Sequence, residues 1–503
     1  MIDFNNLSQY RENNRLEAKK AVGGLPKNMW ESYSAFANSD GGIILLGIEE
    51  LKGGKLSVIG VPDADNQVKN IWSTLHDQCK ISVNLLAERH ISIESVDGKQ
   101  IIVMTVPRAD RREKPIYLDN NPLHAFRRNG DGDYHCTKEE VSAMMRDAYE
   151  KTQDSLVLEK MVLDVFDYGS VKSYRNVFRI TRPKHVWESL SDVEFLQKLN
   201  AIGKGADGVL HPTAAGLLMF GYEYEILNEY GSYFLDYQEH HDAGTRWTDR
   251  IISSSGEWSG NLFDFYYKVA NKLPQDIVKV PFKLAPDGFT RIDDTPVHKA
   301  LREALANCLI NADYYGSRGL VIIKARDKIT FANPGGFRIA LNEAVGGGIS
   351  DPRNSVVHKM FNLIDVGERA GSGIPNIFSV WEQENWITPQ YTETRNPDRT
   401  ILSLSFKKSC DKVGTNATEI AINTDKVGIN SAEVGITTAE IPVLSQTKQI
   451  LEFIVTQKSA SAKQISELLS VGQERARLLL TQLVTEGSLI AEGANKNRTY
   501  RLK

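Results

Sequence analysis

The chain has 503 residues, 41% of them hydrophobic and 25% charged, a composition that excludes collagen-like, wholly disordered and disulfide-rich proteins. The formal net charge of −4 gives no overall signal for nucleic acid or acidic membranes, so any basic patch must be local. The length exceeds what one hydrophobic core usually organises and predicts several domains.

Neither the start of the chain nor its apolar runs indicate secretion or a membrane partner. Residues 1–6, MIDFNN, lack the basic start and apolar core of a signal peptide, and the strongest apolar run, Ile43 to Ile48, is too short to span a bilayer. The four cysteines are dispersed, without a CxxC pair or a histidine at zinc-ligand spacing. We therefore predict a cytoplasmic protein with reduced thiols.

Residues 1–150 are predicted to form a first domain of mixed α+β structure. The stretch from Met29 to Phe36 is amphipathic and predicts a helix, and the apolar run from Ile43 to Ile48 is bracketed by glycines and predicts a buried strand. The other predicted elements of this domain are strands at 101–106 and 125–128 and a helix opened by the capping pair Thr137 and Glu140.

The rest of the chain completes an α+β multidomain prediction. Residues 151–225 are mainly helical in pattern and predict a connector. Residues 226–407 predict a second α+β unit, with a long helix from Val297 to Asn311. In residues 408–445 aromatic residues vanish and the motif DKVG occurs twice, which predicts a flexible linker. Residues 446–503 give amphipathic helices and a short basic hairpin, the pattern of a winged helix-turn-helix.

The first chemical motif joins the acidic residues Glu12 and Glu17 to the segment AFANSDGG at 35–42 and to Glu50 after the buried strand. This pattern resembles the Schlafen-type AlbA-like domain, as does the segment KPIY at 114–117. After the second carboxylate the family usually carries an aromatic or apolar residue, where this chain has Ala18. At the position of Glu50 the family usually has Asp.

The resemblance implies a metal-dependent site. In nuclease members of that family three carboxylates bind a divalent metal that activates water, and the matching residues here are Glu12, Glu17 and Glu50. Oxygen ligands of this kind suit Mg²⁺ or Mn²⁺. The alternative is that these glutamates are solvated and paired with nearby basic residues. The basic residues of this domain that fit phosphate contacts are Lys19, Arg127 and Arg128.

The second chemical motif lies on the long helix. Glu303, Asn307 and Asn311 recur every four residues and project from one helix face. An acidic residue and an amide one turn apart can orient water and coordinate Mg²⁺ beside a triphosphate. Two glycine-rich segments follow, NPGG at 333–336 and GERAGSG at 367–373, where the backbone can approach a nucleotide closely.

These segments, in this order, resemble the ATP-binding domain of the GHKL superfamily of gyrases, histidine kinases and mismatch-repair proteins. The resemblance implies bound ATP, with Asn307 also ligating its metal ion. Asn333 stands where the superfamily has an Asp that bonds adenine, which predicts relaxed base selectivity. The alternative is a polar helix face that only satisfies neighbouring backbone. The predicted nucleotide-binding residues are Glu303, Asn307, Asn311, Asn333, Gly335, Gly336, Gly371 and Gly373.

In the C-terminal module the predicted recognition helix carries Arg475 and Arg477, and the predicted wing carries Lys496 and Arg498. This local basic face predicts DNA binding, and a winged helix used for protein contact is the alternative. The chain has no GxxxxGK[ST] loop, which argues against a P-loop helicase.

Together these motifs predict a nucleotide-regulated protein that binds DNA or RNA, forms a homo-oligomer and uses ATP with Mg²⁺ or Mn²⁺. The first hypothesis is a Schlafen-type metal-dependent nuclease, for which the resemblance suggests a role in defence or stress. The second is a non-enzymatic transcription regulator in which ATP shifts the population of states. The third is an ATPase signalling module without a nucleic-acid target.

Overall fold

In a computed structural model the protein divides into two units, Met1–Val413 and Gly414–Lys503. Among the residues that the structure describes, no helix is both long enough and apolar enough to cross a bilayer. Those residues are 10, 12–51, 54–240, 247–275, 277, 295–367, 371–394, 398–408, 460–461, 464–466, 480, 483–484, 489–492 and 499–502.

A four-stranded sheet organises the first part of the chain. Its strand β2, Gly42–Leu46, pairs in parallel with β1, Leu16–Lys19, and antiparallel with β6, Lys99–Val106, which pairs in turn with β5, Ile91–Val96. Three successive apolar side chains of β2, Ile44 to Leu46, are fully buried, as expected for a strand covered on both faces. The strands predicted around residues 43–48 and 101–106 are confirmed.

Helices and two hairpins surround this sheet. The helix predicted from Met29 begins there, and the predicted capping pair forms: the Thr137 N–H donates to Glu140 Oε2 at 2.7 Å, and the Glu140 N–H donates to Thr137 Oγ1 at 3.2 Å. The elements are α1 Met29–Asn38, β3 Ile48–Glu50, β4 Leu56–Val58, α2 Ala64–Leu75, β7 Phe126–Asn129, β8 Gly132–His135 and α3 Lys138–Ala148.

The segment predicted as a helical connector contains four helices and a small hairpin in the structure. Polar caps begin three of the helices, since the side chains of Asp167, Ser191 and Thr213 accept backbone N–H groups of the first turn. The elements are α4 Tyr168–Thr181, α5 Asp192–Leu199, β9 Ile202–Lys204, β10 Leu210–Pro212, α6 Ala214–Phe220 and α7 Glu223–Glu229.

A six-stranded sheet in the order β12-β11-β13-β14-β16-β15 forms the framework of the following region. The predicted long helix and the predicted strand pair at 320–325 and 328–332 are confirmed. The strands are β11 Leu235–His240, β12 Asp249–Ile252, β13 Leu320–Ala325, β14 Lys328–Pro334, β15 Gln390–Thr394 and β16 Arg399–Ser405; the helices are α8 Leu262–Ala270, α9 Pro296–Asn311, α10 Leu341–Gly346, α11 Ser355–Leu363 and α12 Gly373–Gln383.

One hydrophobic core runs through both of these regions. Its buried members extend from Val165, before α4, to Leu404, on β16, and include the fully buried Phe220 and Trp381. The four-stranded sheet has a separate core around Tyr33 and Phe36. The helical segment after residue 150 is therefore packed into the same core as the six-stranded sheet.

In the unit Gly414–Lys503 the described residues form a three-stranded antiparallel sheet in the order β17-β19-β18, from Ala460–Ser461, Thr499–Leu502 and Leu489–Glu492. The last two strands are the predicted basic hairpin. The predicted linker and most of the predicted helices lie outside the described residues.

Asn38, at the end of α1, ties the helix to two neighbouring segments. Its Nδ2 donates to the carbonyl oxygens of Ile116 at 2.8 Å and Phe126 at 3.0 Å, and its Oδ1 accepts the Ile116 N–H at 2.8 Å. The residue is 1% exposed. The AFAN segment thus has a structural function, because one amide side chain satisfies three buried backbone groups.

Replacing Asn38 by Ala should lower the free energy of unfolding by at least about 2 kcal/mol, because each buried group left without a partner costs roughly 1–3 kcal/mol. Urea denaturation followed by circular dichroism measures this loss. The matched control is Asn70→Ala on the exposed face of α2, which should change stability little. Equal stability of the two variants would contradict the structural role of Asn38.

Candidate functional site

The three glutamates of the predicted metal site lie on or beside strands β1 and β3. Glu17 is on β1, Glu50 ends β3, and Glu12 precedes β1 and accepts the Ala18 N–H at 2.9 Å. The pKa of Glu12 is raised, first by burial and then by the negative charges of Glu17 and Glu50, against the lowering effect of the Ala18 N–H. The charges of the three carboxylates therefore interact.

Cations within the chain already neutralise Glu17. Its carboxylate lies 2.6 Å from Lys19 Nζ and 2.7 Å from Arg128 Nη2, and its side chain is 7% exposed. Among the described residues no group of three or more His, Cys, Asp or Glu side chains is placed to hold a metal ion. As arranged, the carboxylates do not fit a divalent cation, because the central one is bound by two basic groups.

The two arginines of β7 point in opposite directions, as neighbouring residues of a strand do. Arg128 is buried with its side chain 1% exposed, and pairs with Glu17 and with Asp133 at 2.8 Å. Arg127 donates from Nη1 to both carboxylate oxygens of Asp398, at 2.6 and 2.8 Å, and to Glu140 at 3.2 Å.

In these positions Arg127 and Arg128 are bound to carboxylates, and the phosphate contacts that the sequence predicts for them stay a prediction. A buried guanidinium with carboxylate partners stabilises the fold, and removing it from those partners to bind a phosphate would leave buried charges unpaired. The sequence pattern predicts both arginines on one basic strand, but it does not identify their acidic partners.

The polar face of α9 forms one wall of a cavity in the second region. Asn307 Nδ2 donates to Glu303 Oε1 at 3.1 Å, and Asn311 Nδ2 donates to the Asn307 carbonyl oxygen at 3.0 Å. Glu303 is 7% exposed, and a Cβ added at Gly373 would overlap its carboxylate. Any larger residue at position 373 would therefore displace the carboxylate of Glu303.

The cavity has a volume of about 120 Å³ and unites the predicted nucleotide residues. Asn333 reaches it from β14, beside Thr400 on β16, with which it is paired across the two strands. Gly335 has a φ of +91°, which favours glycine, but it lies outside the cavity lining. The predicted residues that line the cavity are Glu303, Asn307, Asn311, Asn333, Gly336, Gly371 and Gly373.

The segment between β14 and α11 closes the cavity on another side. Phe337, Arg338 and Ile349 line it, and Gly347 and Gly348 within this segment have positive φ angles. Arg353 Nη2 donates to the Gly336 carbonyl oxygen at 3.0 Å and fixes the first glycine segment. The sequence pattern predicts no role for Phe337 and Arg338, because neither belongs to one of the two glycine-rich segments.

Ion pairs join this closing segment to the first sheet region. Arg111 Nε donates to Asp351 Oδ2 at 2.5 Å, and Arg353 Nη2 lies 3.0 Å from the carboxylate of Asp147. Arg146 Nη2 pairs with Asp313 at 3.0 Å, just after α9. The cavity beside α9 is thus held on one side by charged residues of the first 150 positions.

The predicted basic residues of the C-terminal module, Arg475, Arg477, Lys496 and Arg498, lie outside the described residues. Arg501, on the described strand β19, is exposed.

Family models match three separate parts of the chain. Residues 12–137 match the family described as "Schlafen, AlbA_2", residues 142–236 match a "Domain of unknown function (DUF8451)", and residues 320–402 match "Putative ATP-dependent DNA helicase recG C-terminal". The last match begins after α9, so Glu303 and Asn307 precede it. No curated protein matches the chain.

Two solved structures are among those similar to the chain. The crystal structure of the DIP2311 protein from Corynebacterium diphtheriae is 16% identical, with 97% of this chain and 92% of that chain covered and a TM-score of 0.40. The solution structure of the N-terminal domain of a "Putative ATP-dependent DNA Helicase RecG-related Protein" from Nitrosomonas europaea is 33% identical, with 28% of this chain and 96% of that chain covered and a TM-score of 0.22. The chain thus contains one region that matches the Schlafen AlbA_2 family, residues 12–137, and one that matches the recG C-terminal family, residues 320–402.

Proposed function

We propose that the protein is a nucleotide-binding regulator of its own nucleic-acid binding, with the nucleotide held in the cavity beside α9. The observation that carries this proposal is the convergence of Asn307, Asn333 and the two glycine segments on one cavity. The family matches support both halves, since one family is named for an ATP-dependent DNA helicase and the other is the Schlafen AlbA_2 domain.

The donor set of the cavity suits a nucleotide of the GHKL type. Asn307 uses its Nδ2 to hold Glu303, which leaves its Oδ1 for a hard cation such as Mg²⁺. A bound Mg²⁺ would neutralise phosphate charge. Asn333 offers both a donor and an acceptor to a base, which fits relaxed base selectivity.

Nucleotide entry requires the closing segment to move. Ligand pockets usually measure roughly 300–1,000 Å³, whereas this cavity measures about 120 Å³. Displacement of Phe337, Arg338 and Ile349 would enlarge it. Arg338 lies near Asp147, and Asp351 of the same segment is paired with Arg111, so this movement changes contacts with the AlbA_2 region.

We favour regulation over nucleic-acid cleavage because Glu17 is neutralised by Lys19 and Arg128. For the C-terminal module we propose a winged helix that binds DNA, supported by its three-stranded sheet and its basic sequence. Homo-oligomer formation stays a prediction.

Replacing Asn307 by Ala should weaken ATP binding in the presence of Mg²⁺ at least tenfold, since a hydrogen bond to a charged group contributes roughly 1.5–3 kcal/mol. Isothermal titration calorimetry measures the affinity. The matched control is Asn176→Ala on the exposed face of α4, outside the cavity, which should bind ATP as the wild type does. Wild-type affinity in the Asn307 variant would remove the basis for this nucleotide site.

The wild-type protein should bind labelled tRNA, single-stranded DNA or duplex DNA without cleaving the nucleic acid. Binding should persist in EDTA, because no metal is needed to neutralise the carboxylates. Gel electrophoresis with Mg²⁺ or Mn²⁺ detects cleavage, with Glu17→Gln as the contamination control. Metal-dependent cleavage by the wild type that is lost in Glu17→Gln would establish a nuclease instead.

The change in nucleic-acid affinity caused by ATP should shrink in the Arg111→Gln variant, because the ion pair to Asp351 is lost. Such couplings are typically about 5-fold to 150-fold. Fluorescence anisotropy with and without ATP measures the change. The neighbouring exposed Arg112→Gln is the matched control. Equal coupling in both variants would show that this contact does not connect the two sites.

A further inference from the structure

A second and larger cavity lies where the AlbA_2 region meets the six-stranded sheet. Its volume is about 440 Å³, within the usual range for sites of small ligands of roughly 300–1,000 Å³. The lining comes from residues 38–40, 108–147 and 313–398, with Ser232. Gly336, Phe337, Arg338 and Arg353 line this cavity and the nucleotide cavity alike, so the two share a wall.

Basic side chains predominate in the lining. Of the described residues, nine basic and seven acidic ones line the cavity. An excess of positive charge in a recess with protein walls raises the local concentration of anions. The basic residues are Arg108, Arg111, Lys114, Arg127, Lys138, Arg146, Arg318, Arg338 and Arg353.

Some of these cations are already paired and others are not. Arg111, Arg127, Arg146 and Arg353 have carboxylate partners at 2.5–3.0 Å, and Arg108 and Arg338 have more distant ones at 3.5 Å. The three basic residues Lys114, Lys138 and Arg318 form no ion pair within the part of the chain that is described. Of the acidic lining, Glu393 Oε1 accepts the Phe337 N–H at 2.6 Å.

Lys114 is the most constrained of these unpaired cations. Its Nζ donates to the Asn38 carbonyl oxygen at 2.9 Å and has two further N–H groups. Burial lowers its pKa, and the positive charges of Arg108 and Arg127 lower it further. An anion beside Lys114 would offset this repulsion and accept the remaining N–H groups.

The lining includes arginines with a buried Nε atom, Arg127 and Arg353 among them. The side chain of Arg353 is 10% exposed, and its Nε, like that of Arg127, is buried and has no hydrogen-bond partner among the described residues. Buried N–H groups are normally paired with protein, water or ligand. Both arginines line the cavity.

We propose that this cavity binds a small phosphorylated anion, with Lys114 and Arg108 as its inner contacts and Arg318 at its rim. Charge-assisted hydrogen bonds from ammonium and guanidinium groups favour phosphate oxygens. The phosphate has two possible sources: a free polyphosphate, or the phosphate tail of a nucleotide in the adjoining cavity. For the second source alone, the inference rests on the proposed nucleotide site.

The test is calorimetric titration of the full-length protein with tripolyphosphate at fixed ionic strength. Wild-type protein should bind, and Lys114→Gln should weaken binding roughly tenfold, the effect of one lost charge-assisted hydrogen bond. Arg318→Gln should weaken it less and keeps the test valid if the Lys114 variant folds poorly, because Arg318 is exposed. The exposed Lys69→Gln, outside the cavity, is the matched control and should bind as the wild type does.

Titrations with ATP and AMP distinguish the two sources. If Lys114→Gln weakens binding of ATP but not of AMP, the anion is the nucleotide tail. If it weakens tripolyphosphate alone, the anion is a separate ligand. Both results support the proposal. If Asn307→Ala binds ATP as the wild type does, the nucleotide site lies elsewhere, and the tripolyphosphate titration still tests this cavity.

Three results would overturn the proposal. The first is no binding of tripolyphosphate by the wild type. The second is undiminished binding by both Lys114→Gln and Arg318→Gln, with loss only in Asn307→Ala, which would assign the anion to the nucleotide cavity. The third is binding of a single-stranded oligonucleotide that depends on Lys114 while tripolyphosphate does not bind. Nucleic acid would then be the occupant of the cavity.

Discussion

The arginine–carboxylate contacts between residues 111–147 and the region of the six-stranded sheet are the interaction on which the other features depend. Arg111, Arg127 and Arg353 are largely removed from water, and each has a carboxylate across the interface. Charges in such surroundings are stable only while paired, so separating the two regions would carry a high desolvation cost. The contacts hold the glycine segment and the closing segment in one arrangement. A ligand that changes this arrangement must supply replacement partners.

This requirement explains how a change in one region can affect the other. Asp351, the partner of Arg111, lines the cavity beside α9, and Asp398, the partner of Arg127, lines the larger adjoining cavity. A nucleotide phosphate near Arg338 or Arg353 would compete with the carboxylate of Asp147 for the guanidinium group. Competition between a ligand and an internal carboxylate for one guanidinium changes the relative free energies of two states, which is the condition for allosteric coupling.

Much of the fold could be predicted from sequence because it depends on local patterns. The buried strand at 42–46, the helix beginning at Met29 and the long helix ending at Asn311 follow from apolar periodicity, glycines and caps. The convergence of Glu303, Asn307 and Asn333 was predicted from motif order. The partners of Arg127 and Arg128 were not, since Asp398 is 271 residues from Arg127 and no local pattern relates them. Their burial depends on tertiary packing alone.

The shared core has a consequence for how such chains can be recombined. Separate family models match residues 142–236 and 320–402, yet Phe220 and Trp381 lie in one continuous hydrophobic core. A gene fusion that joined the second family to an unrelated partner would expose the apolar surface that α6 now covers. The two segments are therefore expected to be inherited together, while the AlbA_2 region, with its own core around Phe36, is free of that restriction except through its arginines.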